Sequence, residues 1–526
     1  MLSRRFLLPF TIALAGCPGG DGDIGAPCSD NGSCDNSLQC VSNVCVPRCQ
    51  RAPECGDGYA CTGEGLCVIA AGENGDACHS EVDCAPGLSC QINNGTSVDD
   101  NKRLLASCTA QNSGGSPPNE ECAVDSECRN GTCALGRCVD LCTETRDCNA
   151  GTTCMTSPRV AAPSNGQLFD VCLPSAGIIV WSIPTAGVES DILVPVPTGA
   201  RSATVVFRVD DTAQQVGART AWAPSDEIQN PSYAKPCVPQ GPVDPQCNPT
   251  LSLEQFYRNR IRHQPEAGQS VLQIPSSSAA QLEPGAYRIT VSSFRTNGLV
   301  GSAIPRVTAI LKMDTAVNLD LRFHFLDLAD HPCADSFGGM LDANRAKEAP
   351  FFQTTFLGEL RTIFAGAGIA LGQLTYDDRR DHPDLDALAI EDAPALFSLG
   401  TQAQGLDIYF VRSISPVGLQ GIAPNPGPAG VAGSRQSGIA LGVDTLCYRS
   451  WGQFARLTAH EVARYMGLYH NVELEVQEHP NWRDGIFDTD PEPGRETTNL
   501  MFFSEFGGTE VTAGQREILT KSAVLQ

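Results

Sequence analysis

After its first twenty residues the chain has no apolar run approaching the roughly 18 residues that a membrane-spanning helix needs. Basic residues are scarce, 36 Lys and Arg against 60 Asp and Glu, for a net charge of −24. That balance argues against a nucleic-acid or anionic-lipid surface as partner and for a solvent-facing ectodomain. Paired C-x2-C spacings, the usual sign of a structural zinc site, are missing despite 25 cysteines. Past Cys172 cysteine itself becomes rare, with only Cys237, Cys247, Cys333 and Cys447 remaining. From residue 176 to residue 314 there is also no histidine cluster and no nucleophile constellation, so chemistry has to be sought elsewhere.

What the N-terminus does contain is MLSRRFLLPFTIALAGCPGG: two arginines, an apolar run from Phe6 to Ala15, and then Leu14-Ala15-Gly16-Cys17. A run this short reads as a signal-peptide core and not as a span. Its ending resembles a bacterial lipoprotein signal, in which the cysteine becomes the lipidated first residue. The resemblance implies a signal over residues 1–17, lipidation of Cys17, and a lipid-anchored, extracytoplasmic place in the cell envelope, with the outer membrane favoured. Lipid is then the expected membrane contact.

Twenty of the cysteines lie between Cys28 and Cys172, in five groups of four that begin at Cys28, Cys49, Cys78, Cys122 and Cys142. The first runs Cys28-x5-Cys34-x5-Cys40-x4-Cys45; the third and fifth keep the two x5 gaps and stretch the last to x17. Gly, Asn, Asp and Ser fill the gaps, and large apolar residues are few. Segments so small cannot bury enough apolar area to offset chain entropy, so disulfides are expected to staple residues 25–175. The spacing leaves the connectivity within each group open. The pattern is similar to Dickkopf-type and EGF-like cysteine-rich modules of surface lipoproteins, which implies a stiff stalk or, more sharply, a ligand-binding array.

Residues 176–314 change rhythm. GIIVWSI, ESDILVPVP, RSATVVFRVDD, QSVLQIP, GAYRITVSSF and RVTAILKMD are β-branched runs separated by Pro, Gly, Ser and Asp, the pattern of an antiparallel sandwich. Cys237 and Cys247 are expected to close one loop there. Residues 317–526 are mixed: NLDLRFHFLDLA, GLDIYFVRSI and SGIALGVD read as strands, while PFFQTTFLGELRTIFAGAG and SWGQFARLTAHEVARYMGLYHN read as helices. Cys333 and Cys447 are expected to pair, since an exported chain has little use for two exposed thiols.

Within the last helix, His460, Glu461, Gly467 and His470 fall at the spacings of H-E-x-x-H-x-x-G-x-x-H, and TTNLMFFSEFG places Met501 beyond them. Between them lies DGIFDTDPEP. Together these resemble the metzincin zinc metallopeptidases, in particular the pappalysin-like branch, over residues 317–526. The fold class so implied is multidomain: disulfide-rich small modules, an all-β sandwich, and an α/β (α+β) metzincin-like domain. The resemblance implies His460 and His470 as zinc ligands, Glu461 as the base that polarises water, and Met501 as the floor of the metal site. Two positions depart from the pattern. Arg464 stands where the second histidine belongs, and arginine cannot lose its proton to offer a lone pair to a metal. Phe503 stands where some metzincins carry a tyrosine.

The expectation is therefore a metallopeptidase-like binding protein for a peptide, protein or surface polymer, with weakened zinc and the Arg464 guanidinium in the metal's place against Glu461. The rival is a working endopeptidase whose third ligand is Glu473, His479, Asp484 or Asp488. A third reading is a structural or adhesive lipoprotein. Calcium is a further expectation at the Asp484/Asp488 loop. Changing Cys17 to Ser should move the protein from the membrane fraction to the soluble fraction; retention under high salt would count against lipid anchoring.

Overall fold

The computed structural model describes residues 26–526 apart from 27, 29–33, 36–37, 42–43, 56–58, 62–64, 71, 94–97, 99–102, 161–165, 226–262, 264, 278–280, 296–298, 327, 329–330, 332, 335–339, 473–483, 490–495 and 505. Cys17, Cys237, Cys247, Glu473 and His479 lie outside the described residues. No helix among those described is long and apolar enough to cross a membrane.

Each cysteine group is a short hairpin with one repeated connectivity, first to third and second to fourth. The third and fourth cysteines face each other across the hairpin, as Cys40 does Cys45 and Cys154 does Cys172, yet each bonds to a partner upstream. The close cysteine groups are thus closed as disulfides, which leaves no thiolate for a metal. In four modules the acidic residue just before the second cysteine caps the backbone behind the first. Asp83 accepts from His79 and Ser80, Asp147 from Thr143 and Glu144, Glu127 from Ala123, and Glu54 from Gln50.

The array is folded back and does not form a string. Arg51 of the second module donates to the carbonyls of Asn149 (2.9 Å) and Thr152 (3.3 Å) in the fifth. The third module bonds to the fifth through Glu81 N–H to Leu141 O (3.0 Å) and Leu104 N–H to Leu168 O (2.9 Å). The expected stalk is therefore a compact base, and modules three to five share a hydrophobic cluster with the domain that follows.

That domain is a sandwich of two four-stranded antiparallel sheets. Its strands are β1 (Ile178–Ile183), β2 (Glu189–Val196), β3 (Ser202–Arg208), β4 (Gln215–Trp222), β5 (Glu266–Ala267), β6 (Gln269–Ile274), β7 (Gly285–Phe294) and β8 (Arg306–Lys312). One sheet is ordered β1-β8-β3-β6, the other β2-β7-β4-β5. β6 is buried along its whole length, and β3 along all but its last residue, because their sheet has two dry faces. Val205, Phe207 and Leu272 meet the other sheet; Val206, Val271 and Ile310 meet the C-terminal domain. His263 ties the sheets together: its Nδ1 donates to Val271 O and its Nε2 accepts from Ala218 N–H, each at 3.0 Å.

The C-terminal domain is built on a five-stranded sheet of β9 (Asn318–Leu326), β10 (Ala370–Arg379), β11 (Leu406–Val411), β12 (Gly421–Ile422) and β13 (Ile439–Gly442), ordered β10-β9-β11-β13-β12. All neighbours are parallel except β12, which runs antiparallel at the edge. Helices α1 (Leu357–Gly366) and α2 (Trp451–Tyr465) pack on one face through Phe323, Phe356, Phe410 and Phe454, whose rings meet at 5.7–6.1 Å. A short helix α3 (Ala513–Thr520) follows. Cys333 and Cys447 form a disulfide with Cα atoms 5.2 Å apart, closing a loop worth about 4–5 kcal/mol in the chain-entropy view. Fully buried Lys312, on β8, donates to Asp314 (2.8 Å) and to Leu525 O (2.7 Å), fastening the sandwich to the end of the C-terminal domain.

Burial holds the His263 imidazole down at about 4, against an ordinary 6.5. Between those values the unfolded chain binds a proton that the folded chain refuses, so this group's stability contribution is lost as pH falls through the window. The His263→Gln protein should show a flatter pH dependence of its urea midpoint from about pH 4 to 6.5 than the wild type; identical slopes would exclude this role.

Candidate metal centre

Helix α2 starts at a capping box. Ser450 Oγ accepts from Gln453 N–H (3.3 Å), and Gln453 Oε1 accepts from Ser450 N–H (2.9 Å). It stops at Gly467, whose φ of +104° suits glycine, with Leu468 N–H reaching back to Ala463 O (3.0 Å). A side chain at Gly467 would also strike Gln273 of β6, whose amide donates to Met466 O (3.2 Å). Phe454, Leu457, Val462 and Met466 are buried in the core, as their spacing predicts. On this heavily buried helix Arg456, His460 and Glu461 are buried too, and each needs a partner.

His460 Nδ1 donates to Leu500 O at 2.8 Å, since a carbonyl can only accept. Its Nε2 therefore carries a lone pair, and it lies 3.3 Å from His470 Nε2. Two nitrogens bound at about 2.0–2.1 Å to one tetrahedral zinc would be separated by about 3.3–3.4 Å. The pair thus fits a shared metal, with the carbonyl fixing the His460 tautomer from behind. Burial, with His470 and Arg464 adding, keeps the His460 imidazole well below its ordinary range and so neutral.

The turn that follows holds both histidine segments. Met501 is fully buried; its N–H donates to Asn499 Oδ1 (2.8 Å), and its carbonyl accepts from the N–H of Asn471, next to His470 (3.2 Å). Asn499 and Gln515 exchange two amide bonds (2.9 and 3.0 Å), pinning the turn to α3. Arg456, one helical turn before His460, was not singled out from the sequence. It donates to the carbonyls of Leu500 (3.0 Å), Phe502 (3.2 Å), Ser504 (3.0 Å) and Gly508 (3.1 Å). Its one sequence signal is a charge placed on a helix most of whose other residues are apolar.

Glu461 is 5% exposed and lies against Gly421 of the edge strand, where any side chain would collide with it. Its Oε2 accepts no hydrogen bond and is 3.6 Å from Arg464 Nη1, an ion pair too long for a hydrogen bond. Burial raises its carboxyl, against the pull of Arg464, His470 and Arg456. Glu266 of β5, hydrogen-bonded by Gln436, is pushed up to about 7 by burial, while the Arg464 charge pulls it back.

Of the other candidate donors, Asp484 and Asp488 are among the described residues, and each accepts hydrogen bonds of its own. Asp484 Oδ1 accepts from Ile486 N–H (3.0 Å) and Thr489 Oγ1 (2.9 Å), and Asp488 Oδ2 accepts from Gly514 N–H (2.9 Å) at the start of α3. Phe503 is half-buried, its ring centre 4.7 Å from that of Phe502. A scan against protein-family models finds no match to this chain, and neither does a search of curated proteins.

Arg456→Met should cost about 3 kcal/mol or more, because several buried carbonyls lose their donor at once. Chemical denaturation measures this; a loss under about 1 kcal/mol would mean that water replaces the guanidinium.

Proposed function

We propose that residues 317–526 form a metzincin-like domain whose zinc site is degenerate, and that the protein acts mainly by binding, with weak or no proteolysis. The observation that carries this reading is the His460–His470 pair, 3.3 Å apart and backed by Leu500 O, with Arg464, 3.6 Å from Glu461, at the sequence position of the second histidine. Helix, glycine turn and buried Met501 occur around it in the order that the resemblance implies.

Bound zinc would act as a Lewis acid and lower the pKa of its water. His460 Nε2 and His470 Nε2 are the residues that would hold it, and Glu461 the group beside it able to accept a proton. Arg464 works against this. Two unit charges 4 Å apart interact by about 4 kcal/mol at an effective dielectric of 20, so a divalent ion would meet roughly twice that in repulsion. With two protein ligands in place of the usual three, affinity drops further.

The antiparallel edge strand β12 passes directly beside Glu461, which favours an extended peptide or polymer chain laid along it as the bound partner. The disulfide array belongs to an oxidising, extracytoplasmic compartment. A lipid anchor at Cys17, with the outer membrane as its site, completes the proposal.

The test is metal analysis and casein cleavage by the mature chain. The wild type should take up little zinc and cleave poorly, and Arg464→His should raise zinc uptake at least tenfold by completing three histidines. Strong chelator-sensitive cleavage by the wild type would instead favour a working endopeptidase with a substitute ligand. No gain of zinc in Arg464→His would sink the metal-site reading.

A further inference from the structure

Strand β6 carries a polar residue where its surroundings are dry. All six of its residues are buried, and Val271 lies in the core of the C-terminal domain. Gln273, two residues on and so on the same face, is only 3% exposed. An amide in such a place is costly unless it is hydrogen-bonded. Its Nε2 meets that demand with two carbonyls, Met466 O at 3.2 Å and Pro275 O at 3.4 Å.

Met466 is the C-terminal cap of α2, and the last carbonyls of a helix have no partner within it. Gln273 supplies that partner from another domain. The approach is close. A Cβ at Gly467 would stand 2.5 Å from Gln273 Nε2 and 2.8 Å from its Cδ and Oε1, so the whole amide packs against the glycine. The chain turns at this point. Gly467 N–H bonds to Arg464 O (2.9 Å) and Leu468 N–H to Ala463 O (3.0 Å), and fully buried Leu468 leads on to His470.

Two supports therefore bracket the segment that carries His470. Asn471 N–H, just after it, is held by Met501 O (3.2 Å) within the C-terminal domain; Met466, four residues before it, is held by Gln273 of the sandwich. The span between the two ligands leaves little tolerance, because His460 Nε2 and His470 Nε2 fit one zinc only near their present 3.3 Å separation. His460 is fixed by Leu500 O, so any displacement at the end of α2 falls on His470. We propose that Gln273 is a positioning residue of the metal site: by holding Met466 and Gly467 it returns His470 to His460, so that docking of the sandwich sets the affinity for a divalent cation. The proposal rests on the metal-site reading above and adds to it a control by the neighbouring domain.

Metal binding to the full mature chain tests it, with Zn2+ alone as the probe and a chelating indicator as competitor. The R464H background is used because it supplies three histidines. Gln273→Met keeps the bulk of the side chain and removes the donor. In that background it should weaken zinc about tenfold, as loss of an outer-shell partner does. The visible absorption of Co2+ bound in place of zinc should fall with it, because water replaces a His470 that no longer reaches. Unchanged zinc affinity with an unchanged Co2+ spectrum would overturn the proposal, even if the melting temperature drops, since Gln273 would then only hold the domains together. Should Gln273→Met not fold, Gly467→Ala presses the amide away from the other side and should cause a similar loss; full affinity there would overturn the proposal too. If R464H itself takes up no zinc, the metal-site reading fails, a result distinct from the others.

Discussion

The carbonyl oxygen of Leu500 is the point on which the buried polar groups of helix α2 depend. It accepts from His460 Nδ1 and from Arg456 Nη2, two side chains one turn apart on the same helix. The helix brings the charges inside, and the turn after residue 498 supplies the acceptors that make their burial tolerable. Each side needs the other. Without the turn, α2 would bury an uncompensated guanidinium; without Arg456, the loop through Gly508 would have carbonyls facing a dry core. The orientation of the histidine pair follows from this bargain between helix and turn, and no metal is required to hold His460 in place.

The sandwich enters the same arrangement from outside. A sheet with two dry faces cannot be a detached spacer, because the face carrying Val206, Val271 and Ile310 is buried in the core of the C-terminal domain. The polar residues along that contact, Gln269 and Gln273, are neutral amides that bond across it. Charge enters that contact through buried Lys312, whose ammonium donates to Leu525 O. The border between domains therefore also fixes the end of α2, where Gln273 meets Met466 and Gly467.

Much of this was legible in the sequence. The six sandwich runs, the strands β9, β11 and β13 and the helices α1 and α2 all follow strong periodic patterns, and capping and glycine signals mark the ends of α2. The Cys333–Cys447 pairing followed from cysteine arithmetic. Strands without a pattern were missed: β4 reads QVGARTAW, and β10 is an edge strand with no fully covered residue. Edge strand β12 is two residues long, and its identity comes from pairing with β13. Arg456 and Glu266 escaped for a different reason. Their importance lies in contacts 44 and more residues away, which no local spacing encodes. The folded-back array was invisible too, because it hangs on Arg51 meeting backbone carbonyls 98 and 101 residues on.

The interlaced bridges of the modules have one more consequence. The segment between the third and fourth cysteines lies inside only one of the two covalent rings, the one closed by the second and fourth. Lengthening it enlarges that ring, from a separation of 11 residues in the first module to 24 in the third, while the other ring stays at 12. Ring entropy grows only logarithmically, by about 0.6 kcal/mol per doubling. The base of each module is thus indifferent to what its hairpin carries, and an array of this kind can diversify its outer loops, gaining or losing a dozen residues, while the knot beneath them stays the same.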